Sequence, residues 1–256
     1  MRIVLFAFLI GCGGTIAGGG DDASTKDAAS DAPIPDAGFK SSLSFDGHGQ
    51  GTFFGSFYAN AQQASAGCQL TSVGSCTVSS CSATAPQTPP NAGTLTLTVN
   101  GSPVATATPQ GGSGDYMTTP LPFSPGDVLG VSASGADVPA FATHTITSPG
   151  KLAVGTPSTI TTSQDLTLTW TGGESGAIVI VGIGRGGFNG ATSVSCSFDA
   201  TSGTGTVPKE QLASLQNGAP TGSLIVGQQR STTFVSGTFV IDLDAIEDDQ
   251  SSVTFQ

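Results

Sequence analysis

Polar and apolar residues alternate one by one in Thr94-Leu95-Thr96-Leu97-Thr98-Val99, and a second run extends from Ser102 to Thr108. A period of two points successive side chains to opposite faces, so each run predicts a half-buried strand. Asn100-Gly101 between them predicts a two-residue hairpin turn, because both central positions of that turn need positive φ. The register that follows pairs Leu97 with Val104 and Leu95 with Thr106. It sets Pro103 opposite Thr98 at a non-hydrogen-bonded site, where a missing N–H costs little.

Further strands are predicted over Thr52–Ala59, Asp127–Ser134, Phe141–Thr147, Asp165–Thr171, Ala177–Ile183, Thr192–Phe198, Leu224–Gln228 and Thr233–Leu243. Pro125-Gly126-Asp127, Ser148-Pro149-Gly150 and Gly172-Gly173 separate them as turns. One short helix is predicted over Pro208–Gln216: Pro208 suits its first turn, Glu210 its positive end, Leu212 and Leu215 share a face, and Gly218 stops it. Short strands at this spacing predict an all-β chain of antiparallel, immunoglobulin-like sandwiches. A sandwich takes about 100 residues, so two tandem domains fit, at 41–148 and 149–256, with one large sandwich as the alternative.

Composition sharpens the strand reading. Charged residues make up 10% and the chain holds 37 Gly, so strands and turns are favoured over surface helices. The net charge is −11, and the seven Lys and Arg are scattered singly. Nucleic acid binding by counterion release needs clustered cations, so it is excluded, and an anionic membrane surface would repel the body.

Residues 1–11 carry Arg2, the apolar run Ile3–Ile10 and Gly11, followed by Cys12. Eight residues of helix span about 12 Å, against a hydrocarbon core of about 30 Å, so the run is a signal-type segment and not a membrane span. Leu9-Ile10-Gly11-Cys12 resembles the lipobox of bacterial lipoprotein precursors. The resemblance implies cleavage before Cys12, acylation of its thiol and new amine, and attachment to a lipid bilayer through that residue. Gly13, where an Asp would mark inner-membrane retention in enteric bacteria, implies the outer membrane. Residues 12–40, rich in Asp, Ala and Gly, cannot bury enough apolar surface to offset ordering and read as a disordered linker. As a coil its ends stand roughly 25–30 Å apart.

Cys68, Cys76, Cys81 and Cys196 remain, an even number that in an exported chain predicts two disulfides with three possible pairings. A turn at Gly74-Ser75 pairs Val73 with Cys76 and brings Cys68 opposite Cys81, the preferred bond. Cys76 and Cys196 are left to pair or stay free, and a bond between them would tie the halves together. The Cys spacings match no zinc-finger pattern, and His48 and His144 read as isolated.

Other motifs carry less. Gly182 to Gly187 matches GxGxxG, but turn and strand residues follow where a nucleotide site needs a helix. Asp242, Asp244, Glu247, Asp248 and Asp249 lack the glycine and terminal Glu of a calcium loop and read as a solvated acidic strand end. Asp46-Gly47-His48-Gly49-Gln50 reads as a loop, with its polar groups near a ligand as the alternative. Trp170 reads as core, Tyr58 and Tyr116 as freer rings, and Arg185 as an exposed cation at a glycine-loop tip. No GxSxG nucleophile elbow occurs, and no metal or cofactor is implied.

The combination of lipobox, Asp/Ala/Pro linker and Thr/Gly-rich sandwiches resembles surface lipoproteins of myxobacteria and relatives. It implies a cell-envelope protein and assigns no activity. The leading expectation is a non-enzymatic binding or adhesion module with an envelope protein or glycan as ligand. The alternatives are a secreted hydrolase or carbohydrate-active enzyme on the same scaffold, and a structural spacer.

Overall fold

The computed structural model describes residues 41–58, 68–81, 89–111, 114–187 and 190–256. The expected signal segment at residues 1–11, Cys12 and the expected linker lie outside them. In chain order the strands are β1 (Ser41–Asp46), β2 (Thr52–Ser56), β3 (Cys68–Val73), β4 (Cys76–Cys81), β5 (Leu95–Val99) and β6 (Ser102–Ala107). There follow β7 (Tyr116–Thr118), β8 (Val128–Ala133), β9 (Phe141–Thr147), β10 (Ala153–Val154), β11 (Thr159–Ile160) and β12 (Leu166–Thr171). The last are β13 (Ile178–Gly187), β14 (Gly190–Asp199), β15 (Thr204–Val207), β16 (Thr221–Ser236) and β17 (Phe239–Phe255). Among the described residues the one α-helix, α1 (Lys209–Leu212), continues as a 3₁₀ turn over Ala213–Leu215. Pro208 caps it, and Leu212 and Leu215 are both buried.

The fold is all-β and of sandwich type. A 10-stranded sheet runs β3-β4-β14-β13-β16-β17-β1-β2-β7, with β11 also on β17. A four-stranded sheet, β6-β5-β8-β9, and a three-stranded sheet, β10-β12-β15, complete it. Alternation sets which side chains enter the cores: Leu43 and Phe45 of β1 are buried while Ser42 and Ser44 are only half so. One core gathers Leu43, Phe45, Phe53, Leu95, Leu97, Leu129 and Val131, with Ile241, Leu243 and Ala245 of β17. The other gathers Trp170, Val179, Val181, Val194, Leu212 and Val226, with Val253 and Phe255 from the far end of β17. The cores divide near Ser148-Pro149-Gly150, yet the β16–β17 hairpin runs through both and Cys76 packs in the second.

Several expectations are refined. Asn100 and Gly101 turn at φ 51° and 78°, but a bulge follows between Leu97 and Thr98. Leu97 therefore pairs with Ala105 and Leu95 with Ala107, and Val104 turns outward, while Thr98 does oppose Pro103. Thr233–Leu243 is not one strand. It holds the tight turn of the longest hairpin, entered at Ser236 through Gly237 at φ 60°. The pairing of β17 with β1 is parallel and joins residues 200 positions apart, Ser41 to Ile241 through Asp46 to Ile246.

Candidate functional site

The two cores share one face of the β16–β17 hairpin, and where they meet that face turns polar. Leu224 and Val226 on one side and Ala245 and Leu243 on the other are buried apolar residues. Between them Gln228 pairs with Glu247 across the hairpin, with Arg230 next along β16. Gln228 is fully buried and Glu247 nearly so. Buried polar groups must find partners or cost several kcal/mol each, and here they find them in residues 148–150 and in Glu174 beyond β12. Gln228 Nε2 donates to the Gly150 carbonyl at 3.0 Å, and Gln228 Oε1 accepts from the Glu174 amide at 2.7 Å. Glu174 Oε1 accepts from the Gly150 amide at 2.9 Å, and its Oε2 meets Arg230 Nη2 at 2.8 Å. Glu247 Oε1 accepts from Ser148 Oγ at 3.2 Å.

On the end of β1 the chain folds down onto the same seam. The Gly47 amide donates to the Ile246 carbonyl at 2.8 Å, and a tight turn follows in which Gly51 donates to the His48 carbonyl. Gly49 and Gly51 take φ of 66° and 72°. Asp46 Oδ1 accepts the His48 amide at 2.8 Å, and His48 Nδ1 lies 3.1 Å from Asp248 Oδ1. That contact is an ion-pair approach and not an aligned hydrogen bond. Two glycines permit the crowding. A Cβ on Gly47 would stand 2.3 Å from Glu247 Oε1, and one on Gly227 would stand 2.5 Å from Asp248 Cβ.

Burial governs the electrostatics. Asp248 is pushed up to about 7, first by desolvation and then by the neighbouring Asp46 carboxylate, against the lowering pull of His48. Burial also raises Asp46, opposed by the His48 amide and charge. It raises Glu247 too, opposed by the Ser148 hydroxyl and Lys151. A carboxyl that holds a proton near neutrality can give or take one there. Among the described residues no three His, Cys, Asp or Glu side chains converge to hold a metal ion.

Of the acids of 242–249, Asp249 is exposed and Asp242 half-buried as a solvated strand end would have them, but the others are not. They occupy the middle of β17, where Asp244 and Glu247 are buried and Asp244 accepts from Gln229 Nε2 at 2.8 Å. Asp46-Gly47-His48-Gly49-Gln50 is the turn that meets them, and His48 is not isolated. His144 stacks on Phe234 with ring centroids 3.7 Å apart, and burial lowers its affinity for protons. Gly182 to Gly187 lies within β13. Arg185 is not at a free tip: it packs 4.6 Å from the Phe255 ring and donates to the Ala219 and Leu215 carbonyls. Tyr116 is fully buried, its hydroxyl accepting from the Ala92 amide at 2.8 Å and donating to Asn91, whereas Tyr58 is half-buried. Trp170 is core, with Nε1 donating to the Ala200 carbonyl at 2.8 Å.

Of the cysteines, Cys76 on β4 and Cys196 on β14 form a buried disulfide between directly opposed residues, Cα–Cα 4.0 Å. Cys68 and Cys81 stand opposite each other in the β3–β4 register, and Val73 opposite Cys76. The residues that sequence reasoning missed are Ser148, Glu174, Gln228 and Arg230. Each is an ordinary polar residue in its own segment and acquires its place only through contacts made far along the chain.

The chain matches no protein-family model and no curated protein. Among the described residues no helix is long and apolar enough to cross a membrane.

Proposed function

We propose that the chain is an exported lipoprotein, held in the cell envelope by an acylated Cys12, whose all-β body is a non-enzymatic binding or adhesion module. The observation that carries this reading is the apolar run Ile3–Ile10 closing on Leu9-Ile10-Gly11-Cys12. It is too short to remain as a span and ends on the thiol that a thioether-linked lipid requires. Acyl chains contribute about 0.8 kcal/mol per buried methylene, so a multiply acylated Cys12 holds the body at the outer membrane. The Cys76–Cys196 bond supports export from a separate direction, since structural disulfides persist in oxidising compartments. The binding role is supported by the scaffold, a large sheet with two smaller ones, which presents its connecting loops on rigid strands. An envelope protein or a glycan is the ligand class.

The anchor is tested in expressing bacterial cells fed labelled palmitate, with and without globomycin. The expected result is label on the mature protein and accumulation of precursor with the drug. A mature, unlabelled protein that ignores globomycin refutes the anchor. For the body, the mature protein without its lipid is applied to glycan and envelope-protein arrays, where saturable binding is expected.

A further inference from the structure

The turn at residues 47–51 is fastened to the centre of β17, where the two cores meet, by a backbone bond from Gly47 and by side chains that change charge with pH. We propose that Asp46, His48 and Asp248 form a pH-sensitive latch: it holds this turn against the seam in mildly acid solution and loosens it as the medium becomes alkaline.

The geometry makes closure depend on protons. Gly47 lies directly on the Glu247 carboxylate, with no room for even a methyl group between them. One residue on, His48 reaches Asp248, whose side chain is nine-tenths buried, while the imidazole is about half exposed. Asp46 and Asp248 thus crowd one side of the turn, while Glu247, the preceding residue of β17, faces the other side against Gly47. The charges facing them are few. From the turn comes His48, from the connector Lys151, and from β17 itself Asp249. The neighbouring strands offer nothing ionisable directly across the sheet: β16 places Gly227 opposite Asp248 and Gln228 opposite Glu247, and β2 places Thr52 opposite Asp46.

The charge balance then follows. His48 pairs with Asp248 as an ion only while its ring is protonated. A proton on Asp248 removes one of the crowded negative charges, and burial favours that neutral form. Loss of the Asp248 proton leaves the Asp46 and Asp248 carboxylates side by side. Their repulsion and desolvation act on the contacts that hold the turn down: Gly47 to Ile246, His48 to Asp46, and Gly51 to His48. Ser148 binds the same Glu247, so loosening also reaches the connector between the cores. The latch does not depend on the lipid anchor.

Amide hydrogen exchange on the soluble disulfide-bonded protein tests this, with protection at Gly47, His48 and Gly51 measured from pH 5.5 to 8.5 and corrected for intrinsic exchange. The expected result is a loss of about tenfold in protection at these amides as pH crosses 7, one pH unit of coupled protonation being one decade. Amides in β13 should keep theirs. In Asp248→Asn, a neutral mimic of the protonated acid, the loss should shrink to less than threefold. Wild-type protection that stays flat across the range overturns the latch, as does an equal loss in Asp248→Asn. Should that variant fail to fold, the wild-type titration decides alone.

Discussion

Replacing Cys76 and Cys196 together by alanine should remove a large share of the stability of the body. The bond closes a loop across a sequence separation of 120 residues. In the chain-entropy treatment, the unfolded state regains about 2.1 + 1.5R ln n cal/mol/K on release, which for this loop is about 5 kcal/mol at 25 °C. Both cysteines are almost fully buried beside Val194 and Val181, so loss of their sulfur atoms adds about 1 kcal/mol of packing per site. Against this stands whatever residual structure the cut chain retains. A net loss of about 4–6 kcal/mol, or about 10–20 °C in melting temperature for a body of this size, is expected. Equilibrium urea unfolding, followed by Trp170 fluorescence and by circular dichroism, measures it, with dithiothreitol-treated wild type as the second arm. A loss below about 1 kcal/mol in both arms would refute the reasoning. The β3–β4 hairpin would then be held by its backbone bonds to β14 alone, with no contribution from loop closure.

The shared hairpin predicts coupled unfolding: Leu97→Ala, in the first core, should cost about 2–5 kcal/mol and shift the transition of Trp170, in the second, by the same amount as the dichroism. Separate transitions would show the cores to be independent. Gly47→Ala should lose about 1–3 kcal/mol, because its methyl group would strike the Glu247 carboxylate, and a melting curve unchanged from wild type would contradict the packing. Stability should fall as pH rises from 5 to 8. The folded-state pKa of Asp248, about 7 against 3.8 for the free group, means that the folded form binds the proton more tightly. The contribution is therefore complete below about pH 4 and lost by the time pH passes 7. Over that rise it amounts to about 2 kcal/mol after allowance for the shared Asp46 charge, read from urea midpoints. Below pH 4 the trend should reverse, since Asp127 and Asp199 are held low by hydrogen bonds from Asn100 and Thr201. Stability that rises steadily from pH 5 to 8 would contradict the Asp248 assignment.

What the sequence made legible was local. Alternation located β5, β8, β9, β12 and the heart of β13, and a count outward from Gly74-Ser75 placed Cys68 opposite Cys81. Asn100-Gly101 marked its turn, but the bulge between Leu97 and Thr98 left no mark in the alternation of residues 94–108. Thr233–Leu243 read as one strand because alternating residues continue straight through the turn and Gly237 is a single interruption. The acidic stretch of β17 was misjudged for a related reason. A run of acids beside a strand is normally solvated, and here β1, arriving from 200 residues upstream, buries it. Arg185 and Tyr116 show the same limit, since the carbonyls and amide that engage them come from segments at least 20 residues away.

The parallel pairing of β1 with β17 decides how the molecule would respond to tension. A strand peeled from an antiparallel neighbour opens like a zipper, one rung after another. Here the chain enters β1 at Ser41 and leaves β17 beyond Phe255, with both strands pointing the same way. A pull on the segment before Ser41, resisted through the carboxyl end of β17, therefore slides the two strands past each other and strains all six rungs at once. Such a joint is mechanically stiff. A body loaded between those two points would keep its shape until that whole row of bonds gave way together.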